Sequence, residues 1–300
     1  MVAAGPDSVF LTFSGAGRIR NYTFFEEERR MLHGRTLGFI GGGNMAEAII
    51  KGLLAGRVPA ADILVAEPVA SRRDELANRY GVATHADNAG VVTAADTLVL
   101  AVKPQMFREV VAALGAGALE GKLLISIMAG VTAAAIEEVC GATARVVRVM
   151  PNTPALVLHG ASALSAGSRA TAEDLTFTRG IFDLVGTSCV VEEKLMDAVT
   201  GLSGSGPAYV FTLIEALSDA GVKNGLPRDV AARLAAQTVL GAAKLVMETG
   251  EHPALLREKV TSPGGTTIAG IASLEQNGFR GAVIAAVDAA VARSAELGKK

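Results

Sequence analysis

From Thr36 onward, short aliphatic runs alternate with stretches whose apolar residues recur at helical spacing. Runs that are apolar on both faces mark parallel strands covered by helices. Leu37 to Ile40, Ile63 to Ala66, Thr97 to Val102, Leu123 to Ile127 and Val146 to Met150 read as strands, and Leu184 to Val191 adds a last one. Met45 to Leu54, Ser71 to Tyr80, Gln105 to Leu114 and Ala133 to Val139 read as the helices between them. After Lys194 the strands stop, and Pro207 to Val222, Arg228 to Thr249 and Phe279 to Leu297 predict long helices alone. The pattern therefore predicts an α/β domain over 35–193, doubly wound around a mostly parallel sheet, and an all-helical domain over 194–300. Residues 1–34 have no clear periodicity and read as an extension, disordered or a start-site artefact.

The helix beginning near Pro207 is apolar around most of its circumference, with Tyr209, Val210, Phe211, Leu213, Ile214, Leu217 and Val222. Such a helix must be covered on several sides, which a small domain does poorly by itself. A subunit interface is the expectation, with burial inside the domain as the alternative.

Half of the 300 residues are apolar, enough for a sizeable core, and the formal net charge is −2. Without a basic block the chain lacks the footprint of a nucleic-acid binder. Cys140 and Cys189 stand far apart with no zinc-site spacing, so no metal is expected and both read as reduced core residues. The longest stretch free of formal charge, between Arg148 and Arg169, contains Pro151, Asn152, Pro154, His159 and Gly160, which argues against a membrane span. Val9 to Phe13 is too short for a secretory signal, and Glu26 to Glu28 follow. A cytoplasmic protein with a small-molecule substrate is expected.

Gly41-x-Gly43-x-x-Ala46 follows a predicted strand directly and opens a helix, which is the setting of a Rossmann-type dinucleotide fingerprint. Gly41 permits the tight turn, Gly43 lets a pyrophosphate approach the backbone, and Ala46 allows close helix–strand packing. Glu67 ends the second strand, where an acid can bind the ribose 2′-hydroxyl of NADH. Ser71, Arg72 and Arg73 stand just beyond it and suit the 2′-phosphate of NADPH, or are solvated surface groups. NADPH is the expected cofactor and NADH the alternative.

Far downstream, Lys259-Val-Thr-Ser-Pro-Gly-Gly-Thr-Thr-Ile-Ala-Gly270 is a polar, glycine-rich turn between two apolar helical patterns. Its backbone N–H groups and hydroxyls can hold a carboxylate or phosphate. The alternative is an ordinary helix start capped by Thr266 or Thr267.

Five blocks together resemble the pyrroline-5-carboxylate reductase family: Gly38-Phe-Ile-Gly-Gly-Gly-Asn-Met-Ala46, Ala101-Val-Lys-Pro-Gln105, Arg148-Val-Met-Pro-Asn-Thr-Pro154, Gly201-Leu-Ser-Gly-Ser-Gly-Pro-Ala-Tyr209 and Val260-Thr-Ser-Pro-Gly-Gly-Thr-Thr267. They occur in that family's order, and the likeness covers nearly all of residues 35–298. The resemblance implies hydride transfer from NAD(P)H to the C=N carbon of 1-pyrroline-5-carboxylate, giving L-proline. It implies a substrate carboxylate held by Ser262, Gly264, Gly265, Thr266 and Thr267, with the Thr267 hydroxyl nearest the ring nitrogen. Gly41, Gly43, Asn44 and Met45 would hold the pyrophosphate, and Asn88 would reach the adenosine ribose or simply cap a helix. Val102, Lys103 and Pro104 would flank the nicotinamide, with Lys103 read as a strand-end charge and not a proton donor. Asn152 would line the same pocket or close a self-bonded Asx-type turn. The helical domain would pair two subunits, and rings of such dimers occur in the family. Two other readings remain: a reductase of a different imine or oxo acid on the same scaffold, and a non-catalytic dinucleotide sensor.

Overall fold

A computed structural model of the chain describes residue 32 and residues 34–298, apart from 116 and 142. The extension read over 1–34 lies, but for 32 and 34, outside the described residues. Eight strands form one sheet: β1 (Leu37–Ile40), β2 (Ile63–Ala66), β3 (Ala83–His85), β4 (Thr97–Leu100), β5 (Leu123–Ser126), β6 (Arg145–Met150), β7 (Gly160–Ala166) and β8 (Gly186–Val190). Their order is β3-β2-β1-β4-β5-β6-β7-β8, and every neighbouring pair is parallel except β6 with β7. The chain goes outward from β1 through β2 to β3, then crosses back to β4. That reversal opens a crevice at the carboxyl ends of β1 and β4, where ligands of such sheets bind.

The helices between strands are α1 (Asn44–Ala55), α2 (Ala70–Tyr80), α3 (Asn88–Ala94), α4 (Phe107–Leu114), α5 (Ala133–Cys140) and α6 (Ala172–Asp183). Alternate strand residues feed two cores. Leu37, Phe39 and Ile125 pack with Ile49, Leu53, Phe177 and Phe182 on one face. Ile40, Leu98 and Leu124 pack with Val91, Phe107 and Ile136 on the other. Both faces are covered, which is why these strands carry apolar runs and not alternation.

β7, α3 and α6 escape the hydropathy pattern, while β3 is the short strand that precedes Asn88. β7 reads Gly-Ala-Ser-Ala-Leu-Ser-Ala and is mostly buried, but small residues and hydroxyls give almost no hydropathy signal. α6 did announce itself locally: the Thr171 hydroxyl accepts from Asp174 N–H while Asp174 accepts from Thr171 N–H, a reciprocal cap. Cys140 is a core residue, and its burial pushes the thiol up to about 12. Cys189 is not in the core as expected; it is exposed because β8 is the sheet's edge.

The chain continues as α7 (Met196–Val199), a π-helix (Thr200–Gly204), α8 (Gly206–Lys223), α9 (Arg228–Thr249), α10 (Pro253–Lys259), α11 (Thr266–Gln276) and α12 (Phe279–Leu297). Among the described residues, 210–282 form one compact unit, and those up to Tyr209 form another with 283–298. Within the first unit α8 and α9 approach closely: a Cβ on Gly221 would lie 2.9 Å from that of Ala231. Yet its buried residues are only Ser218, Ala231 and Ala235, while Phe211, Leu234, Leu240 and Met247 are each more than half exposed. That much apolar surface signals a missing cover. By length and composition α9 is apolar enough to cross a bilayer, with mean hydropathy 1.3, but it carries Asp229–Arg233 and Lys244–Glu248 ion pairs.

Candidate active site

The turn after β1 is built from three glycines with three different reasons. Gly41 has φ +102°, its N–H donates to Ala66 O at 2.9 Å, and a Cβ there would lie 2.8 Å from Ala101 O, so only glycine fits. Gly42 is buried, and a Cβ would press on Leu76 at 2.9 Å. Gly43 is different. Its φ of −68° suits any residue, and a Cβ there would meet nothing within 4 Å. Neither strain nor packing inside the chain demands glycine at Gly43, so the space a methyl would fill is open to a ligand pressed against the backbone. Gly43 is also the N-cap of α1 and places no side chain over its first N–H groups, leaving Asn44 and Met45 at an uncapped, partially positive helix end. These residues fit a dinucleotide pyrophosphate.

Beyond β2, the Glu67 carboxylate accepts from Gly42 N–H and from Val69 N–H, both at 3.0 Å. Ser71 is exposed at the start of α2. Arg73 Nη1 donates to the carbonyls of Glu67 and Pro68 at 2.8 and 2.9 Å. Arg72 is committed to protein partners: Nε to Gly42 O at 2.8 Å, Nη2 to Glu47 Oε2 at 2.6 Å and Nη1 to Glu75 Oε2 at 2.7 Å. Burial alone would raise the Glu47 carboxyl, but hydrogen bonds from Arg72, Tyr80 and Arg79 hold it down at about 2.

Asn88 does not cap α3. Asp87 does, accepting from Ala89 and Gly90 N–H, and Asn88 is the first helical residue, half buried. Val102, Lys103 and Pro104 follow β4 on the carboxyl side of the sheet, with Lys103 exposed and Pro104 opening a short 3₁₀ turn. A cavity of about 640 Å³ opens beside Pro104 and Gln105, lined also by Gly130, Val131 and Leu297. The glycine turn does not line it, so concavity by itself would have missed that turn. Asn152 is 9% exposed and closes no Asx-type turn of its own. Its Oδ1 accepts from Ala161 N–H at 2.9 Å and its Nδ2 donates to Ser203 O at 3.0 Å, tying the turn after β6 to β7 and to the π-helix.

In the helical unit, Gly264 takes φ +67° and Gly265 N–H donates to Ser262 O at 3.1 Å, folding the turn before α11. The N-cap is Gly265, not Thr266 or Thr267, and no side chain covers it. Thr266 and Thr267 therefore occupy the first turn of α11, with Thr267 half buried. Backbone N–H groups and two hydroxyls share one helix start, an arrangement suited to a carboxylate.

Two family profiles match the chain: "pyrroline-5-carboxylate reductase dimerisation" over residues 193–297, and "NADP oxidoreductase coenzyme F420-dependent" over 36–130. Pyrroline-5-carboxylate reductase of Synechocystis sp. is 52% identical over 265 residues, covering 88% of this chain and 98% of that protein. The chain belongs to the pyrroline-5-carboxylate reductase family. The Glycine max reductase is 49% identical over 263 residues, 87% of this chain and 96% of that one. Among solved structures, the Coxiella burnetii reductase superposes with a TM-score of 0.82 at 39% identity, covering 88% of this chain and 98% of that one. The Plasmodium falciparum reductase, solved with NADP bound, has a TM-score of 0.79 at 34% identity and the same coverage.

Several residues of this reductase-family chain lay outside sequence reasoning. Glu47, Arg79 and Tyr80 join the cluster behind the glycine turn. A signal for them existed: Glu47 puts a carboxylate in the first turn of the helix that opens the glycine fingerprint, where a phosphate would call for cationic partners beside it. Arg148, only 5% exposed, pairs with Glu193 at 3.3 Å, and that Glu193 oxygen also accepts from Ala133 N–H at 2.6 Å. No sequence pattern joins residues so far apart.

Proposed function

We propose that this protein reduces 1-pyrroline-5-carboxylate to L-proline with a reduced nicotinamide dinucleotide, the closing step of proline biosynthesis. The observation that carries this reading is likeness over the working length of the family: 52% identity spanning 98% of the Synechocystis reductase. In the balanced reaction the imine carbon gains a hydride and its nitrogen a proton, yielding proline and oxidised dinucleotide. A bound reduced nicotinamide supplies the hydride. The chain's own residues bind, align and manage the proton.

Gly41, Gly43, Asn44 and Met45 would hold the pyrophosphate, with Gly43 chosen because a side chain would occupy the phosphate's place. Glu67, Ser71, Arg73 and Asn88 border the adenosine side; NADPH is the expected donor and NADH the alternative. Val102, Lys103, Pro104 and the turn of Asn152 would border the nicotinamide. Ser262, Gly264, Gly265 and Thr266 would fix the substrate carboxylate, and the Thr267 hydroxyl would hold the proton at the ring nitrogen.

The chain homo-oligomerises through its helical region, the part matched by the dimerisation profile. We assign 35–193 to the dinucleotide and 194–300 to dimerisation and substrate, in a cytoplasmic homodimer able to build rings of dimers. A second copy covers the exposed Phe211, Leu234 and Leu240, and its Ser262–Thr267 turn would complete the site on its neighbour. The test is dinucleotide oxidation with 1-pyrroline-5-carboxylate beside a panel of other cyclic imines and oxo acids. Turnover confined to 1-pyrroline-5-carboxylate is expected; turnover only with another substrate would refute the assignment.

A further inference from the structure

The glycine turn is gripped from behind by side chains that the fingerprint itself does not require. Gly42 N–H donates to Glu67 Oε2 at 3.0 Å, and the Gly42 carbonyl accepts from Arg72 Nε at 2.8 Å. Arg72 is held in turn by Glu47 at 2.6 Å and Glu75 at 2.7 Å. The other Glu47 oxygen accepts from Arg79 Nη1 and from the Tyr80 hydroxyl, both at 2.7 Å. The Arg72 and Glu47 side chains are only 19% and 13% exposed, so this cluster is screened far less than a surface pair.

The planar peptide makes this grip directional. In a trans peptide the carbonyl of one residue and the N–H of the next point opposite ways. Holding the Gly42 carbonyl on Arg72 therefore aims the Gly43 N–H away from the cluster. Gly43 is exposed there, at the head of α1. Holding the Gly42 N–H on Glu67 fixes the peptide before it in the same manner. The electrostatics need the same pairing. Glu47 stands in the first turn of α1, where a bare carboxylate would repel phosphate arriving at that helix end, and Arg72 and Arg79 neutralise it.

We infer that Glu47 and Arg72 are positioning residues that set the pyrophosphate-binding turn by clamping Gly42, and so act on NADH and NADPH alike, without reading the 2′-phosphate. Drawing Arg72 out to a 2′-phosphate would strip the Gly42 carbonyl of its donor and Glu47 of its innermost cation. The inference rests on the reading that the Gly41–Gly43 turn carries the dinucleotide.

The experiment is calorimetric titration of the purified full chain with NADH and with NADPH, for the parent, Arg72→Ala, Arg72→Lys and Glu47→Gln, with Michaelis constants and kcat in parallel. Losing one charge-assisted hydrogen bond on the turn should raise both dissociation constants about tenfold in Arg72→Ala. Arg72→Lys keeps the charge without the fork and should still raise both, as should Glu47→Gln. The NADPH-to-NADH ratio should stay within about twofold of the parent, and KM should rise more than kcat falls. A rise for NADPH alone would make Arg72 a 2′-phosphate ligand and overturn the clamp. Parent-like affinities in folded variants would reduce the cluster to a stability element and overturn it too. A parent chain that binds neither dinucleotide would remove the site reading itself, and the clamp with it. Should Arg72→Ala fail to fold, Arg72→Lys and Glu47→Gln carry the same comparison.

Discussion

Gly43→Ala separates binding from folding at a single methyl group. At Gly43 the backbone is in an ordinary region and the added Cβ would touch nothing within 4 Å. Two small effects on stability oppose each other. Replacing glycine with alanine stabilises by about 0.4–1 kcal/mol through the unfolded chain, while alanine is a poorer N-cap than glycine by a similar amount. The net change should be within about 0.5 kcal/mol, a Tm shift of about 2 °C or less. Bound pyrophosphate would meet the methyl, and overpacking of that kind costs about 1–3 kcal/mol, a roughly 5- to 150-fold loss of dinucleotide affinity at 1.4 kcal/mol per decade. Gly41→Ala should behave in the reverse order. Its φ of +102° and the 2.8 Å approach to Ala101 O strain the fold before any ligand arrives, costing about 1–3 kcal/mol. Calorimetric titration with NADPH and thermal melts of both variants provide the assay. A Gly43→Ala protein that binds NADPH as the parent does would refute the placement of the pyrophosphate at this turn.

Thr267→Ala should lower kcat roughly 100-fold, the scale of a lost proton-handling group, while leaving the dissociation constant of NADPH within about twofold; steady-state kinetics with parent-like kcat would remove Thr267 from the chemistry. Phe211→Glu with Leu240→Glu adds charge at positions 62% and 53% exposed in the single chain, so the fold should survive and the oligomer should not. Sedimentation showing an undiminished mass would place the subunit interface elsewhere. Glu47, held at about 2 against an ordinary 4.5, contributes stability that is fully present above the unfolded value and is lost as pH falls through the folded one. In urea melts across pH, the stability gap between parent and Glu47→Gln should hold steady above about pH 5 and close between about 4.5 and 2; a gap independent of pH would mean that the cluster does not lower the Glu47 carboxyl below its unfolded value.

What the sequence determined by itself was whatever short-range pattern records. Apolar runs located β1, β2 and β5 because each strand is buried on both faces. Gly41 and Gly43 stand out as a fingerprint in a fixed local order: backbone geometry demands glycine at Gly41, while neither strain nor packing demands it at Gly43. The helical region was legible as an interface because its apolar residues outnumber what so small a unit can bury. β7 was not legible, since Ala, Ser and Gly are buried there by position in the sheet and not by their own hydrophobicity. Tertiary structure alone decided the partners of polar groups. Arg72 reads locally as a free cation at a helix start, and only the packing of α2 on α1 brings it to Glu47 and Gly42. Asn152 likewise reads as a turn former, and only the fold sets Ala161 N–H and Ser203 O on either side of its amide. A hydrogen bond between residues distant in sequence leaves no periodicity behind, because its geometry is fixed by the packing of the elements that carry it.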